Sequence, residues 1–143
     1  MGMGMILDTS VLAAPRRQRF DLATTLRAYG DTEIGIAAIT AAELVRAVVT
    51  ARESARAARR FYVDELLAFV PVLPFGIAEA REYGRLAAAL SSRGAAVGPH
   101  QMLVAATALS RDWAVMTLHP GDYEPVDGLV IAPLHPGAAE PAV

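Results

Sequence analysis

The stretch Met5-Ile6-Leu7-Asp8-Thr9-Ser10-Val11-Leu12 decides the fold that the rest of the chain must complete. Its apolar first half ends abruptly at a carboxylate and two hydroxyls, which is typical of a buried strand that delivers an acidic residue to the edge of a sheet. In open α/β sheets that edge carries the chemistry. Later segments that bring further carboxylates to Asp8 are therefore the candidates for the rest of a site.

Size and composition indicate one folded domain. The chain has 143 residues, of which 54% are hydrophobic and 20% charged, and this excludes a disordered polypeptide. The lack of cysteine excludes disulfides and thiol chemistry, and it leaves carboxylates and three histidines as possible metal ligands. No apolar run approaches the roughly 20 residues of a membrane helix, and no signal peptide is recognisable. We expect a cytoplasmic protein.

Apolar periodicity divides the rest of the chain into alternating strands and helices. Strands are predicted near residues 3–7, 33–37, 71–74, 113–117 and 129–131. Helices are predicted near residues 21–28, 40–49, 52–69, 77–90 and 99–109, and the inward stripe of the third is Ala55, Ala58, Tyr62, Leu66 and Phe69. Such alternation implies crossover connections. The prediction is an α/β/α sandwich with a mostly parallel central sheet of four to five strands and helices on both faces, over residues 1–132, with a flexible tail at 133–143.

Two carboxylates stand out, and each has a structural as well as a functional interpretation. Asp8 ends the first strand, where an aspartate can simply cap the next turn. Glu43 lies in Thr40-Ala41-Ala42-Glu43, which matches a helix capping box. Together they favour function, because a strand-end carboxylate and a first-turn helix carboxylate can converge at one sheet edge as ligands for Mg²⁺ or Mn²⁺. No phosphate-binding loop or nucleophile elbow competes with this interpretation.

Four motifs follow one another between about residue 5 and residue 131. They are residues 6–12 (ILDTSVL), 39–44 (ITAAEL), 97–109 (VGPHQMLVAATAL) and 115–123 (VMTLHPGDY), the last with an acidic residue followed by an aromatic one. In this order they resemble the motifs of PIN-domain ribonucleases, especially the VapC toxins of bacterial type II toxin–antitoxin (VapBC) pairs. The resemblance implies a PIN-like α/β/α fold and an Mg²⁺- or Mn²⁺-dependent endoribonuclease.

The resemblance also implies a set of site residues. Asp8 and Glu43 match the first two acidic ligands, and the hydroxyls of Thr9, Ser10 and Thr117 are expected beside them. The third acidic position is Gln101, which can donate an oxygen but carries no charge and cannot be a general base. The fourth is His119, which can ligate a softer ion or contact phosphate, with Asp122 three residues later at a second place that is commonly acidic.

Two functions therefore stay open at this point. One is a toxin that cuts RNA by metal-assisted hydrolysis, with Asp8, Glu43 and Asp122 as catalytic residues and Gln101 and His119 as further metal ligands. The other is a weakened or inactive PIN domain that still binds RNA or its antitoxin, because of Gln101 and His119.

The expected partners are an antitoxin, RNA and a second copy of the chain. A cognate VapB-like antitoxin and a homodimer follow from the resemblance. RNA would meet arginines beside the acidic site, namely Arg16, Arg17, Arg19 and Arg46. All 13 basic residues are arginine although the net charge is −2, and solvated helix faces are the alternative explanation for them.

Overall fold

A computed structural model describes residues 4–13 and 22–134. The strands are β1 (Gly4–Leu7), β2 (Glu33–Ala37), β3 (Val72–Leu73) and β4 (Ala114–Met116). The helices are α1 (Thr9–Ala13), α2 (Leu22–Ala28), α3 (Ala38–Val49), α4 (Glu53–Phe69), α5 (Ile77–Ser92) and α6 (Pro99–Arg111), and a 3-10 turn spans Pro120–Tyr123. Within the described residues, no helix is long and apolar enough to cross a membrane.

The sheet has the order β3-β2-β1-β4, and all its pairings are parallel. β1 is central: Ile6 is in register with Gly35 on one side and Val115 on the other. All four residues of β1 are buried, as the uninterrupted apolar run predicts for a strand covered on both faces. The carboxyl ends of β1, β2 and β4 consequently share one edge.

Alternation along β1 separates two hydrophobic layers. Met5 and Leu7 belong to one core cluster, with Leu44 of α3 and Val63 of α4. Ile6 faces the opposite way and belongs to a second cluster, which contains Leu86 and Leu90 of α5 and Met102 and Val104 of α6. The predicted α/β/α sandwich with a parallel sheet is confirmed.

Two details differ from the sequence prediction, and the first two residues of the predicted tail are described. The last predicted strand is reduced to one parallel bridge between Val115 and Ile131. Phe69, assigned to the inward stripe, is the last residue of α4 and is 81% exposed, whereas Val63, outside that stripe, is buried. Of the predicted tail, Pro133 accepts a hydrogen bond from the Tyr29 hydroxyl and Leu134 packs on the first core, while residues 135–143 lie outside the described part.

The capping-box interpretation of Glu43 is wrong. β2 runs directly into α3, so the helix begins at Ala38, two residues earlier than predicted. Thr40 is consequently inside the first turn, fully buried, and its hydroxyl has no hydrogen-bond partner among the described residues. Glu43 lies in the second turn, where no unpaired helix amide is available to it. Its side chain is free to face α1 and α6 instead.

Candidate active site

Asp8 lies at the carboxyl end of the central strand, as the sequence predicts. Its backbone N–H donates to the carbonyl oxygen of Met116 at 2.9 Å, so β1 and β4 remain paired up to this residue. Its side chain is only 8% exposed. A buried carboxylate is unfavourable unless it is hydrogen-bonded or paired with a cation, so its partners determine what it can do.

Three hydroxyl groups donate to the Asp8 carboxylate. Ser10 Oγ and Thr117 Oγ1 both donate to Oδ2, at 2.9 and 2.7 Å. The hydroxyl of Tyr123 donates to Oδ1 at 3.2 Å. Since a carboxylate oxygen offers about two acceptor positions, Oδ2 is saturated and Oδ1 keeps one acceptor position.

Backbone amides fix the direction of two of these donors. The N–H of Leu118 donates to Ser10 Oγ at 3.0 Å, and the N–H of His119 donates to Thr117 Oγ1 at 3.0 Å. Each hydroxyl oxygen thereby accepts from a backbone amide, which favours donation of its own proton towards Asp8; the two hydroxyls also lie 3.2 Å from each other. The predicted placement of Ser10 and Thr117 beside the first carboxylate agrees with this geometry.

Glu43 approaches from α3 and is held through one oxygen. Thr9 Oγ1 donates to Glu43 Oε1 at 3.3 Å, and Nδ1 of His100, in the first turn of α6, lies 3.3 Å from the same oxygen. The side chain of Glu43 is 27% exposed. Among the described residues Oε2 has no hydrogen-bond partner. Thr9 therefore links the two carboxylates, because it follows Asp8 in the chain and contacts Glu43.

Tyr123 contacts the Asp8 carboxylate from the 3-10 turn. It is buried, with 2% of its surface exposed. Burial raises the pKa of its phenol well above the ordinary value, and the charges of Asp8, Asp122 and Glu43 raise that pKa further. Of the three carboxylates, Asp8 contacts this hydroxyl group directly, and Asp122 precedes Tyr123 in the chain.

Gln101 and Asp122 face a neighbouring groove of about 350 Å³, between the start of α6 and the 3-10 turn. The amide oxygen of Gln101 lies against Gly98, only 2.4 Å from where a Cβ would be. Glycine at position 98 is what allows this close approach. Asp122 is exposed, and its N–H donates to the carbonyl oxygen of His119 at 3.1 Å, which begins the 3-10 turn.

For the other predicted site residues in the described part of the chain, the structure shows no side-chain hydrogen bond or ion pair with Asp8 or Glu43. The His119 side chain is exposed and makes no hydrogen bond or ion pair within the described residues. Arg46 is exposed on α3, three residues after Glu43. Arg16, Arg17 and Arg19 lie outside the described residues. In the part of the chain that the structure describes, no three Asp, Glu or His side chains are arranged around one metal position.

Comparison with known proteins identifies the family of this fold and site. A family model for the PIN domain matches residues 5–119. The chain belongs to the PIN domain family. It is 30% identical over 130 residues to Ribonuclease VapC1 of Rickettsia felis, covering 90% of this chain and 95% of that protein, and 27% identical over 131 residues to Ribonuclease VapC of Rickettsia bellii, covering 90% and 95%.

Solved structures share this fold. The DNA-bound VapBC of Salmonella typhimurium superposes with a TM-score of 0.82 at 22% identity, over 92% of this chain and 98% of that one. VapBC-5 of Mycobacterium tuberculosis, a member of the VapBC family of toxin–antitoxin systems, has a TM-score of 0.71 at 26% identity, over 91% and 96%.

PIN nucleases generally depend on a divalent metal ion, and the donors of this PIN domain fit such an ion. Asp8 keeps a free acceptor position on Oδ1, and Glu43 keeps Oε2. These are hard oxygen donors. Mg²⁺ in proteins is commonly held by one or two carboxylates and completes its shell with water and substrate phosphate.

Two contacts of this PIN site involve residues outside the predicted site. In the sequence, Tyr123 stands out only as the aromatic partner of Asp122. His100 could ligate an ion or contact phosphate, but a solvated or packing role is the more usual one for a histidine in the first turn of a helix. The sequence shows only that a tyrosine follows an acidic residue. It does not indicate that the tyrosine hydroxyl contacts Asp8, which is 115 positions away in the chain. The signal that was available is the position of His100, in the first turn of a helix that begins at the active edge.

Proposed function

We propose that this PIN domain is the toxin of a toxin–antitoxin pair, an endoribonuclease that hydrolyses RNA phosphodiesters with Mg²⁺ or Mn²⁺. One observation carries the proposal. Asp8 is a buried carboxylate whose described partners are hydroxyls alone, without an arginine or histidine. Buried charge without a cation is costly, and a divalent ion at the free Oδ1 position supplies the missing positive charge.

Asp8, Glu43 and Asp122 are the catalytic residues of this proposal, with Gln101 and His119 as further ligands of the ion. Ser10 and Thr117 hold Asp8, and Thr9 holds Glu43. A bound divalent ion supplies Lewis acidity toward a phosphodiester and lowers the pKa of a bound water. The residues of the chain contribute fixed oxygen donors, so that little reorganisation is needed when the substrate arrives.

The substrate and partners follow from the same relatives. RNA meets Arg46, which is exposed on α3, and we assign it the further contacts Arg16, Arg17 and Arg19, which lie outside the described residues. A cognate VapB-like antitoxin neutralises the enzyme; the similar VapBC-5 of Mycobacterium tuberculosis is a member of a family of toxin–antitoxin systems. The active form is a homodimer that acts in the cytoplasm.

Cleavage of RNA oligonucleotides with and without added Mn²⁺ tests the proposal. Asp8→Asn and Glu43→Gln are each expected to lower the rate by at least about 100-fold, since losing a ligand costs several kcal/mol of transition-state stabilisation. Asp64→Asn and Glu65→Gln, exposed on α4, are the matched controls and should cleave like the wild type. Cleavage that persists in both site variants, or that needs no metal, contradicts the proposal.

Gln101 distinguishes an active nuclease from a PIN domain that only binds RNA or its antitoxin. If the uncharged amide has abolished chemistry, the wild type binds RNA without cutting it, and Gln101→Asp creates cleavage. If Gln101 acts as a neutral ligand, the wild type already cleaves, and Gln101→Asp changes the rate only modestly. We propose the second outcome, because Asp8 and Glu43 keep free oxygen positions without an acidic residue at 101.

A further inference from the structure

Oδ1 is the oxygen of Asp8 that keeps an acceptor position for a ligand. Among the described residues, Tyr123 is the one hydrogen-bond donor to this oxygen. Its hydroxyl reaches Oδ1 at 3.2 Å, while the two other donors are on Oδ2. Both residues of the pair are buried, at 2% and 8% exposure. Within the same part of the chain, Asp8 is the only hydrogen-bond partner of the Tyr123 hydroxyl.

The arrangement of the three donors has a mechanical consequence. Ser10 and Thr117 hold the carboxylate through Oδ2 alone, while the torsion about its Cβ–Cγ bond is soft and moves both oxygens together. A third hydrogen bond, from Tyr123 to Oδ1, further restrains that torsion. The direction of the free acceptor position of Oδ1 is then held more narrowly.

Tyr123 also couples two parts of the site. It is the last residue of the 3-10 turn Pro120–Tyr123 and follows Asp122 directly. The same short turn thus carries a candidate ligand and the donor that orients another ligand on β1. Movement of the turn changes both at once.

We propose that Tyr123 is a positioning residue of the nuclease, whose hydroxyl orients Oδ1 of Asp8 for the divalent ion. This rests on the proposed function. The hydroxyl does not touch the substrate; it acts through Asp8. Its loss should therefore weaken metal binding and slow catalysis while the binding of RNA is preserved.

Calorimetric titration of Mn²⁺ into the wild type, Tyr123→Phe and Tyr62→Phe is the test. Tyr62 is the matched control, because its hydroxyl also donates inside the protein, to the carbonyl oxygen of Leu12 at 2.6 Å. For Tyr123→Phe we expect a Kd for Mn²⁺ raised about 10-fold and a kcat for RNA cleavage lowered about 10-fold, the size typical of residues that orient metal ligands. The KM for RNA should stay within about 2-fold, and Tyr62→Phe should lose stability only.

A second measurement needs no variant. In the wild type with ¹³C-labelled tyrosine rings, Mg²⁺ should shift the Tyr123 resonances at the same concentrations that calorimetry gives, and should leave Tyr62 unshifted. The inference is overturned if the wild type binds no Mn²⁺, if Tyr123→Phe binds Mn²⁺ and cleaves RNA like the wild type, or if Tyr123 resonances ignore Mg²⁺. Failure of the proposed function has a different result: Mn²⁺ binds and depends on Tyr123, but RNA is not cut.

Discussion

At the scale of single residues, the partners of two buried carboxylates separate a structural role from a functional one. Glu79 is 6% exposed, accepts from the N–H of Gly76 at 2.9 Å and lies 3.5 Å from the Arg111 guanidinium. It closes the first turn of α5 and joins it to α6. Asp8 is as deeply buried but has no cation among its described partners. The sequence alone does not distinguish these two carboxylates. Only the tertiary structure shows that the charge of Glu79 is balanced by Arg111 and that Asp8 has no such partner among its described contacts.

The surroundings of Glu79 predict how stability depends on pH. Burial raises its pKa, but the backbone N–H groups of Glu79 and Gly76, the Arg111 charge and the Ser110 hydroxyl together lower that pKa below the ordinary value. The stabilisation is therefore complete above the unfolded-state pKa, about 4.3, and is lost as the pH falls through the lower folded-state value. Glu79→Gln should cost about 1 kcal/mol at pH 7, and this difference should shrink below about pH 4 in urea unfolding.

Glu82 provides the control for Glu79. It lies on the same helix, and its ion pair with Arg85 is largely exposed, so Glu82→Gln should change the free energy of unfolding by less than about 0.5 kcal/mol. A Glu79→Gln penalty that stays constant from pH 7 to pH 3 would show that the carboxylate charge contributes nothing.

At the scale of elements, two glycines have opposite significance. Gly4 in β1 faces the Trp113 ring so closely that a Cβ would lie 2.4 Å from Cε2. Gly84 lies in the exposed middle of α5, where a Cβ would meet no described atom within 4 Å. Gly4→Ala should therefore lower the free energy of unfolding by about 1–3 kcal/mol through overpacking, and Gly84→Ala should raise it by roughly 0.5–1 kcal/mol through helix propensity. Urea unfolding of both variants measures this, and changes of the same sign would refute it.

Two predictions from local sequence patterns, on helices α3 and α4, were wrong for physical reasons. Thr40 and Glu43 have the spacing of a capping box, but the direct passage from β2 into α3 moved the helix start to Ala38. Phe69 has the spacing of the inward stripe of α4, yet it is 81% exposed. Local preferences were outweighed by how the helices meet the sheet, which no single segment encodes.

At the scale of the whole molecule, the fold was predictable because apolar strands and amphipathic helices alternate along the chain. Buried strands separated by helices leave few arrangements besides a covered parallel sheet. The site was predictable only in part. Asp8 is marked by its position at the end of an apolar strand and Glu43 by its place in a motif, whereas the contact from Tyr123 to Asp8 depends on how the segment after β4 folds back over the sheet edge. Such long-range contacts have no periodic signature.

The distribution of charge, rather than its sum, predicts how RNA meets this molecule. A net charge of −2 gives no overall attraction to a polyanion, so binding has to depend on local cations. Arg46 is exposed and lies on the face of α3 that carries Glu43, since residues three apart are neighbours on a helix. Arg46→Ala should slow RNA cleavage about 3-fold or more at low salt and reduce by about one the slope of log(kcat/KM) against log salt concentration. Arg85→Ala, on α5 across the sheet, should change neither quantity. An Arg46→Ala variant with an unchanged salt slope would place the RNA backbone elsewhere on the surface.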